Sequence, residues 1–240
     1  EGYINLSNIY SYEGKIRKAN KILKDFLDNI KENTEVINSI AINLLNSENL
    51  KDLEEHVSKY IDNHKSYILY YLNGYILANK DKISDSEFFL KKSMNLNSNF
   101  WNNYELLLKQ YEKQSRIKDF KKLIDNAKKI FSNNIKLYYY ESLYFFREKN
   151  YKDSLFILKN KAKKHVLFLQ QNDKFQIECF NLLCRVNERL GNYKESYSFA
   201  IKRNHININL EENKKFNKEI ILNTISAYKK FFKNKSKTPE

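Results

Sequence analysis

One proline, at position 239, and four glycines are all that a chain of 240 residues contains. A β-rich or α/β protein needs turn formers more often than that, so long helices joined by short polar turns fit the composition. Cysteine is almost missing as well, with Cys179 and Cys184 the only two. Five residues apart on a helix, they point in different directions and make poor disulfide partners, which points to a reducing, cytoplasmic compartment. No run approaches ~18 consecutive apolar residues, so no helical membrane span is expected. His56, His64, His165 and His205 are scattered, without a partner at metal-ligand spacing. Four isolated glycines cannot build a phosphate-binding loop, and no pattern of carboxylates pairs two in a defined pocket. The expectation for this segment is therefore no catalytic, metal or cofactor site.

Lys, Asn, Ile, Tyr and Phe dominate instead. The 43 basic and 29 acidic residues leave a formal charge of +14. That balance admits nucleic acid or an anionic membrane as partner, although a genome-wide base bias would inflate Lys without any demand from function. The basic clusters Lys159–His165 and Lys229–Lys237 are separate and lie in no continuous aromatic groove, so nucleic-acid binding is not the expected role. Glu1-Gly2-Tyr3 already falls in a helical pattern and follows no signal peptide, as expected of a piece of a longer chain.

Internal periodicity is the strongest signal. Ser7, Ala41, Gly74, Leu108, Ser142 and Cys184 form one column, and Tyr10, Leu44, Leu77, Tyr111, Phe145 and Asn187 follow three residues later. A second pair of columns holds Ala19, Leu53, Ser86, Phe120, Ser154 and Ser196, then Leu23, Val57, Leu90, Ile124, Leu158 and Ala200. Small residues thus recur where two helices would cross closely, with large apolar ones a turn away. The pairs Asn49/Asp52, Ser84/Glu87, Asn150/Asp153 and Asn192/Glu195 each place a capping side chain three residues before an acid. They are expected to start the second helices of units two, three, five and six. Leu53, Leu108 and Phe120 stand where small residues belong, so units two and four should splay or shift register. Units five and six lie about eight residues further apart than the others, which a longer second helix through Ser154–Gln171 would absorb.

The columns resemble those of the tetratricopeptide repeat (TPR), a helix hairpin of about 34 residues. The expected fold is an all-α, right-handed superhelical α-solenoid of about six degenerate TPR-like helix hairpins with a C-terminal capping helix. Residues 1–204 would form the array, 205–233 the cap, and 234–240 a linker to a further domain. Phe216, Ile220, Ile221, Ile225, Tyr228 and Phe232 give the cap an apolar stripe. Its lysines leave an interfacial membrane helix as the alternative. The first helices of such an array line a concave face that binds a protein or peptide, or the protein's own C-terminal domain. By unit position, Asn8, Tyr12, Asn38, Tyr71, Tyr75, Asn79, Lys109, Lys113, Tyr139, Phe146 and Arg147 point there, with packing between units as the competing role for Tyr139 and Phe146. The clamp by which some of these repeats hold a chaperone's terminal carboxylate is missing, since Ile4 stands where its Lys should precede Asn8.

The C-terminal third carries a narrower resemblance. The run Phe180-Asn181-Leu182-Leu183-Cys184-Arg185-Val186-Asn187-Glu188-Arg189-Leu190-Gly191-Asn192-Tyr193-Lys194-Glu195-Ser196-Tyr197-Ser198-Phe199-Ala200 leads directly into Ile201-Lys202-Arg203-Asn204. With Lys215-Phe216, Ile220-Ile221, Ile225 and Phe231-Phe232 behind it, this resembles the end of the TPR region in bacterial TPR–sulfotransferase fusion proteins. The resemblance implies a non-catalytic scaffold preceding a 3′-phosphoadenylyl-sulfate-dependent sulfotransferase. The Pro-Arg-Ser-Gly-Thr loop of that enzyme is not in the sequence, so no cofactor or catalytic residue carries over. A stand-alone adaptor that assembles other proteins is the alternative, followed by an RNA- or membrane-associated repeat.

Overall fold

A computed structural model describes residues 2–29, 33–162 and 173–210. Among them are twelve α-helices and no strand. Two compact units divide the chain between Ser132 and Asn133. The first holds α1 (Gly2–Tyr12), α2 (Ile16–Asn29), α3 (Thr34–Asn46), α4 (Leu50–Tyr60), α5 (Tyr67–Asn79), α6 (Ile83–Leu96), α7 (Trp101–Lys113) and α8 (Ile117–Ile130). The second holds α9 (Ile135–Arg147), α10 (Tyr151–Ile157), α11 (Asp173–Arg189) and α12 (Tyr193–Asn209). Consecutive helices pair as hairpins α1/α2, α3/α4, α5/α6, α7/α8, α9/α10 and α11/α12. Within the first unit the first helices of neighbouring hairpins also touch, α1 on α3, α3 on α5 and α5 on α7.

All six hairpins turn in the same way. Gly14, Glu48, Asp81, Ser115, Lys149 and Gly191 have φ between 55° and 76° and stand at one position of the repeat, seven residues past the crossing residue of the first helix. Left-handed backbone there lets the next amide reach back five residues and satisfy a carbonyl that the helix end would otherwise orphan. The bonds run from Lys15 to Tyr10, Asn49 to Leu44, Lys82 to Leu77, Arg116 to Tyr111, Asn150 to Phe145 and Asn192 to Asn187, all at 2.8–3.2 Å. Only two of the six turns use the glycine that this conformation favours.

The small-residue columns face each other across the hairpins. In α5/α6 the Ser86 hydroxyl donates to the Gly74 carbonyl at 2.7 Å, in α9/α10 Ser142 donates to the Ser154 carbonyl at 2.9 Å, and in α11/α12 the Cys184 thiol donates to the Ser196 carbonyl at 3.3 Å. Gly74 admits nothing larger without repacking: a Cβ there would lie 2.8 Å from Leu90 Cγ and 3.2 Å from the Ser86 carbonyl oxygen. Where the column is large the hairpin opens. The backbones of α3/α4, with Leu53, and α7/α8, with Leu108 and Phe120, stay further apart than those of α5/α6 or α11/α12. Leu53, Leu108 and Phe120 are themselves fully buried, so the splay comes from side chains filling the crossing.

Two capping expectations are corrected. Asn49 and Asn150 do cap α4 and α10, accepting from the Asp52 and Asp153 amides at 3.2 and 3.3 Å. Ser84 does not, because the left-handed turn at Asp81 starts α6 at Ile83, behind Lys82 as the N-cap residue. Asn192 sits at the cap position of α12, but its side chain donates to Asn187 Oδ1 at 3.3 Å and makes no cap bond. The first helices have caps of their own: Asn33 on α3, Ser66 on α5 and Asn134 on α9. After Ile157 the expected long second helix of unit five widens into a π-helical turn, Leu158–Ala162, and its continuation to Gln171 lies outside the described residues. α12 runs on to Asn209; the expected cap beyond Leu210 and the linker also lie outside them.

A side chain in left-handed backbone costs roughly 1–2 kcal/mol over an unstrained one, partly offset by the greater freedom glycine has when unfolded. Lys149→Gly is therefore expected to raise stability by about 0.5–1 kcal/mol, and Gly191→Ala to lower it by about 1 kcal/mol. Urea midpoints of the two variants check both signs.

Candidate protein-binding face

Three of the sequence-expected binding residues come together in the first unit. Tyr71 and Tyr75 on α5 and Lys109 on α7 line one cleft of about 260 Å3 with Asn102, Glu105 and Leu106. Every wall residue belongs to a first helix, which is where the repeat pattern places a binding face. α5 is apolar on nearly every side because it packs between neighbours, and its tyrosines stand half-buried at the boundary with solvent. Tyr71 meets Phe100 edge-on at 5.1 Å and lies 6.5 Å from Tyr75. Burial, then Tyr75 and Glu105, push its phenol up to about 12, so it stays protonated and can donate. Glu105 accepts from the Trp101 indole at 3.0 Å and from Lys109 at 3.1 Å, four residues along the same helix. The cleft thus offers aromatic surface, an aliphatic floor and both signs of charge. It holds no nucleophile–base pair.

The remaining expected residues are placed less uniformly. Asn8, Tyr12, Asn79 and Lys113 are exposed on first helices, Tyr12 almost completely. Lys113 pairs with Asp81 at 3.4 Å, both well exposed. Asn38 is half-buried and accepts from Ser66 at 2.8 Å, so it helps seat α5. In the second unit Tyr139 meets Phe175 at 5.8 Å, and Phe146 is buried with the Arg185 guanidinium 4.6 Å above its ring. Both pack between α9 and α11, while Arg147 beside them is exposed.

Sequence reasoning missed the polar joints that tie α6 to its successor. Glu87 accepts from Arg116 at 2.6 Å, Lys91 at 2.6 Å and Tyr111 at 2.8 Å, and Arg116 also donates to Asp119 at 2.7 Å. Burial alone would raise the Glu87 carboxyl; the donors from Arg116, Lys91 and Tyr111 outweigh it and hold the group at about 2. Burial and the bond to Glu87 push the Tyr111 phenol up. Deeper in, Gln110 donates to Ser86 at 2.7 Å, and Asn103 donates to Ser93 at 2.9 Å, whose hydroxyl in turn donates to the Tyr67 carbonyl at 2.6 Å. No local motif announces such joints, because each needs residues 10 to 29 positions apart.

Cys179, Cys184, His56 and His64 are accounted for by local packing. Cys179 and Cys184 are free and buried, and burial raises both thiols, which keeps them protonated and unreactive. His56 bonds the Ile37 carbonyl at 2.9 Å and is pushed down chiefly by burial, and His64 bonds Thr34 at 2.9 Å. Among the described residues no cluster of His, Cys, Asp and Glu could hold a metal, and no helix is long and apolar enough to cross a membrane.

No protein-family model matches the sequence, and no curated protein matches it. Solved structures do. PilF of Pseudomonas aeruginosa is 14% identical, with 90% of this chain and 95% of that one covered at a TM-score of 0.67. PilW, a widely conserved type IV pilus biogenesis factor, is 12% identical over 88% of this chain and 95% of that one, with a TM-score of 0.69. YrrB, a TPR protein with an unusual peptide-binding site, is 14% identical over 70% and 89%, with a TM-score of 0.53. At such identities the likeness establishes the fold, and the fold is that of TPR proteins.

The Glu87 joint ties stability to acid. Its carboxyl sits below the ordinary 4.5, so its contribution is complete above that pH and is lost as pH falls towards about 2. Glu87→Gln is expected to cost roughly 1–2 kcal/mol at pH 7, discounted because Arg116 is partly solvated. The gap from wild type should close as pH drops from about 4.5 to 2. Denaturation midpoints across that range measure it.

Proposed function

We propose that this chain is a non-catalytic TPR scaffold that captures a protein or peptide segment, with the α5–α7 cleft as the seat of that segment. The observation that carries this is the convergence of Tyr71, Tyr75 and Lys109 on one opening lined only by first helices. Tyrosines give large contact area with a polar tip at small entropic cost, and the Glu105–Lys109 pair offers partners for either sign of charge. Asn8, Tyr12, Asn79 and Lys113 extend the same class of surface along the first unit. YrrB, a TPR protein with an unusual peptide-binding site, supports this use of the fold.

Peptides selected against the full chain from a displayed library provide the test, with affinities read by calorimetry. Tyr75→Ala and Lys109→Glu, both at the solvent boundary, should each weaken the selected peptides about tenfold or more, with little change in melting temperature. Peptides that bind both variants as tightly as wild type would place the site elsewhere and overturn the reading.

The finer reading makes this array the N-terminal part of a sulfotransferase-family protein. It is supported by the run Phe180–Asn204 and the ordered apolar positions after it. Transfer chemistry and the 3′-phosphoadenylyl-sulfate site would then belong to the following domain, and the array would dock a protein substrate or that domain. The coding sequence past Glu240 decides it. A strand followed by Pro-Arg-Ser-Gly-Thr is expected, and a stop or an unrelated domain would refute it.

A further inference from the structure

The polar joints of the first unit follow the repeat register. One residue past the crossing position of the second helix stand Asn20, Glu54 and Glu87 in the first three hairpins. For two of them the next hairpin supplies the donors. Glu54 accepts from Lys80, and Glu87 accepts from Tyr111 at 2.8 Å and Arg116 at 2.6 Å. Counted from the crossing residue of their first helix, Tyr111, Lys80 and Arg116 lie three, six and eight positions on. The second hairpin has Leu44, Ser47 and Asn49 at those positions. Leu44 has no polar side chain, and the Ser47 hydroxyl donates to the Leu44 carbonyl at 2.9 Å. The Asn49 amide is engaged with Asp52, donating to its carboxylate at 2.7 Å and accepting from its backbone amide at 3.2 Å. Asn20 is therefore left without an answer. It is only 9% exposed, and among the described residues no donor reaches its Oδ1.

There is space beside it. Asn20 lines a cleft of about 630 Å3 together with those same three residues, Leu44, Ser47 and Asn49. A cleft of about 430 Å3 adjoins it, sharing Lys24, Asp28, Leu44 and Asp52. The two make a trough walled by the second helices α2 and α4 and floored by Ile40 and Leu44 of α3. In the larger cleft Arg17, Lys21 and Lys24 are matched by Asp25, Asp28 and Asp52. A lining with both signs in equal number favours neither a polyanion nor a polycation. The amide in its wall is neutral as well. An Asn side chain offers an acceptor and a donating group side by side, the complement of a peptide main chain. A helical ligand spends its N–H groups internally, whereas an extended one keeps them for a partner.

We propose that the α2–α4 trough is a second binding site, which takes an extended protein segment and reads its main chain through Asn20. From Ile16 to Asp28 the α2 wall runs for about 18 Å at the rise of a helix. Five or six extended residues, at about 3.3 Å each, would span it. Side chains of either sign on that segment meet opposite charges in the walls. The site is independent of the α5–α7 cleft, whose lining comes from those two first helices alone.

The probe is a displayed library of twelve-residue peptides, selected against the full chain carrying Tyr75→Ala and Lys109→Glu so that the α5–α7 cleft takes no part. Calorimetry then compares each selected peptide on that chain with and without Asn20→Leu. The substitution should weaken binding about tenfold or more. It should leave the melting temperature unchanged or higher, because it removes a buried acceptor that has no partner to lose. Lys24→Glu, at an exposed wall position common to both clefts, should weaken the same peptides about threefold or more. Methylating the peptide's backbone nitrogens one at a time should find a single position that costs about tenfold when Asn20 is present and little in Asn20→Leu, which pairs that N–H with the amide. Four outcomes would overturn the proposal: no peptide selected, selected peptides indifferent to both Asn20→Leu and Lys24→Glu, no N-methyl effect that disappears with Asn20→Leu, or a clear fall in melting temperature on Asn20→Leu, which would mean that the amide is already partnered within the fold.

Discussion

Everything in these two units follows from bringing pairs of helices close enough to share a turn of three residues. Such a turn closes only if one residue adopts left-handed backbone, and it reappears at one place in all six hairpins. The bond it allows, from the amide after the turn to the carbonyl five residues earlier, fixes where the second helix begins. That start in turn fixes which side chains meet at the crossing. Ser86 against the Gly74 carbonyl and Ser142 against Ser154 are consequences of this geometry. So is the displacement of the α6 cap from Ser84, a good capping residue on paper, to Lys82, which makes no side-chain cap bond. Backbone closure overrode side-chain preference there.

A scaffold assembled from such hairpins exposes the faces of its first helices, and what those faces can do depends on which residues are left over from packing. In α5 the inward positions Leu69, Leu72 and Ile76 are fully buried or nearly so, while Tyr71 and Tyr75 stand between core and solvent. In α9 the residues expected at the same kind of position, Tyr139 and Phe146, are taken up by Phe175 and Arg185 of α11. The same pattern therefore yields a cleft in one unit and a packed seam in the other. The difference lies in the partner helix: α7 presents Asn102, Leu106 and Lys109, whereas α11 presents an aromatic ring and a guanidinium that can stack.

Much of the architecture was legible in the residues. The four columns marked the helix crossings in all six units, and their members are buried except Tyr10, Leu77, Phe145 and Ala200, which are half-buried. Even the weak hairpins were readable, since Leu53, Leu108 and Phe120 are too large for a close crossing. The turn that sets the register was not. Four of its six left-handed positions hold Glu48, Asp81, Ser115 and Lys149, and only Gly14 and Gly191 signal it by residue type.

By itself the sequence determined that this is a helical repeat protein and where its hairpins lie, because periodic side-chain size and the scarcity of turn formers are local properties that survive in one dimension. Only the tertiary structure decided which exposed aromatics stay available and which become core. It also decided that Glu87 gathers Arg116, Lys91 and Tyr111 into one joint. The physical reason is common to both. Burial and ion pairing depend on what the neighbouring helix brings to the same place, and that neighbour is tens of residues away in the chain.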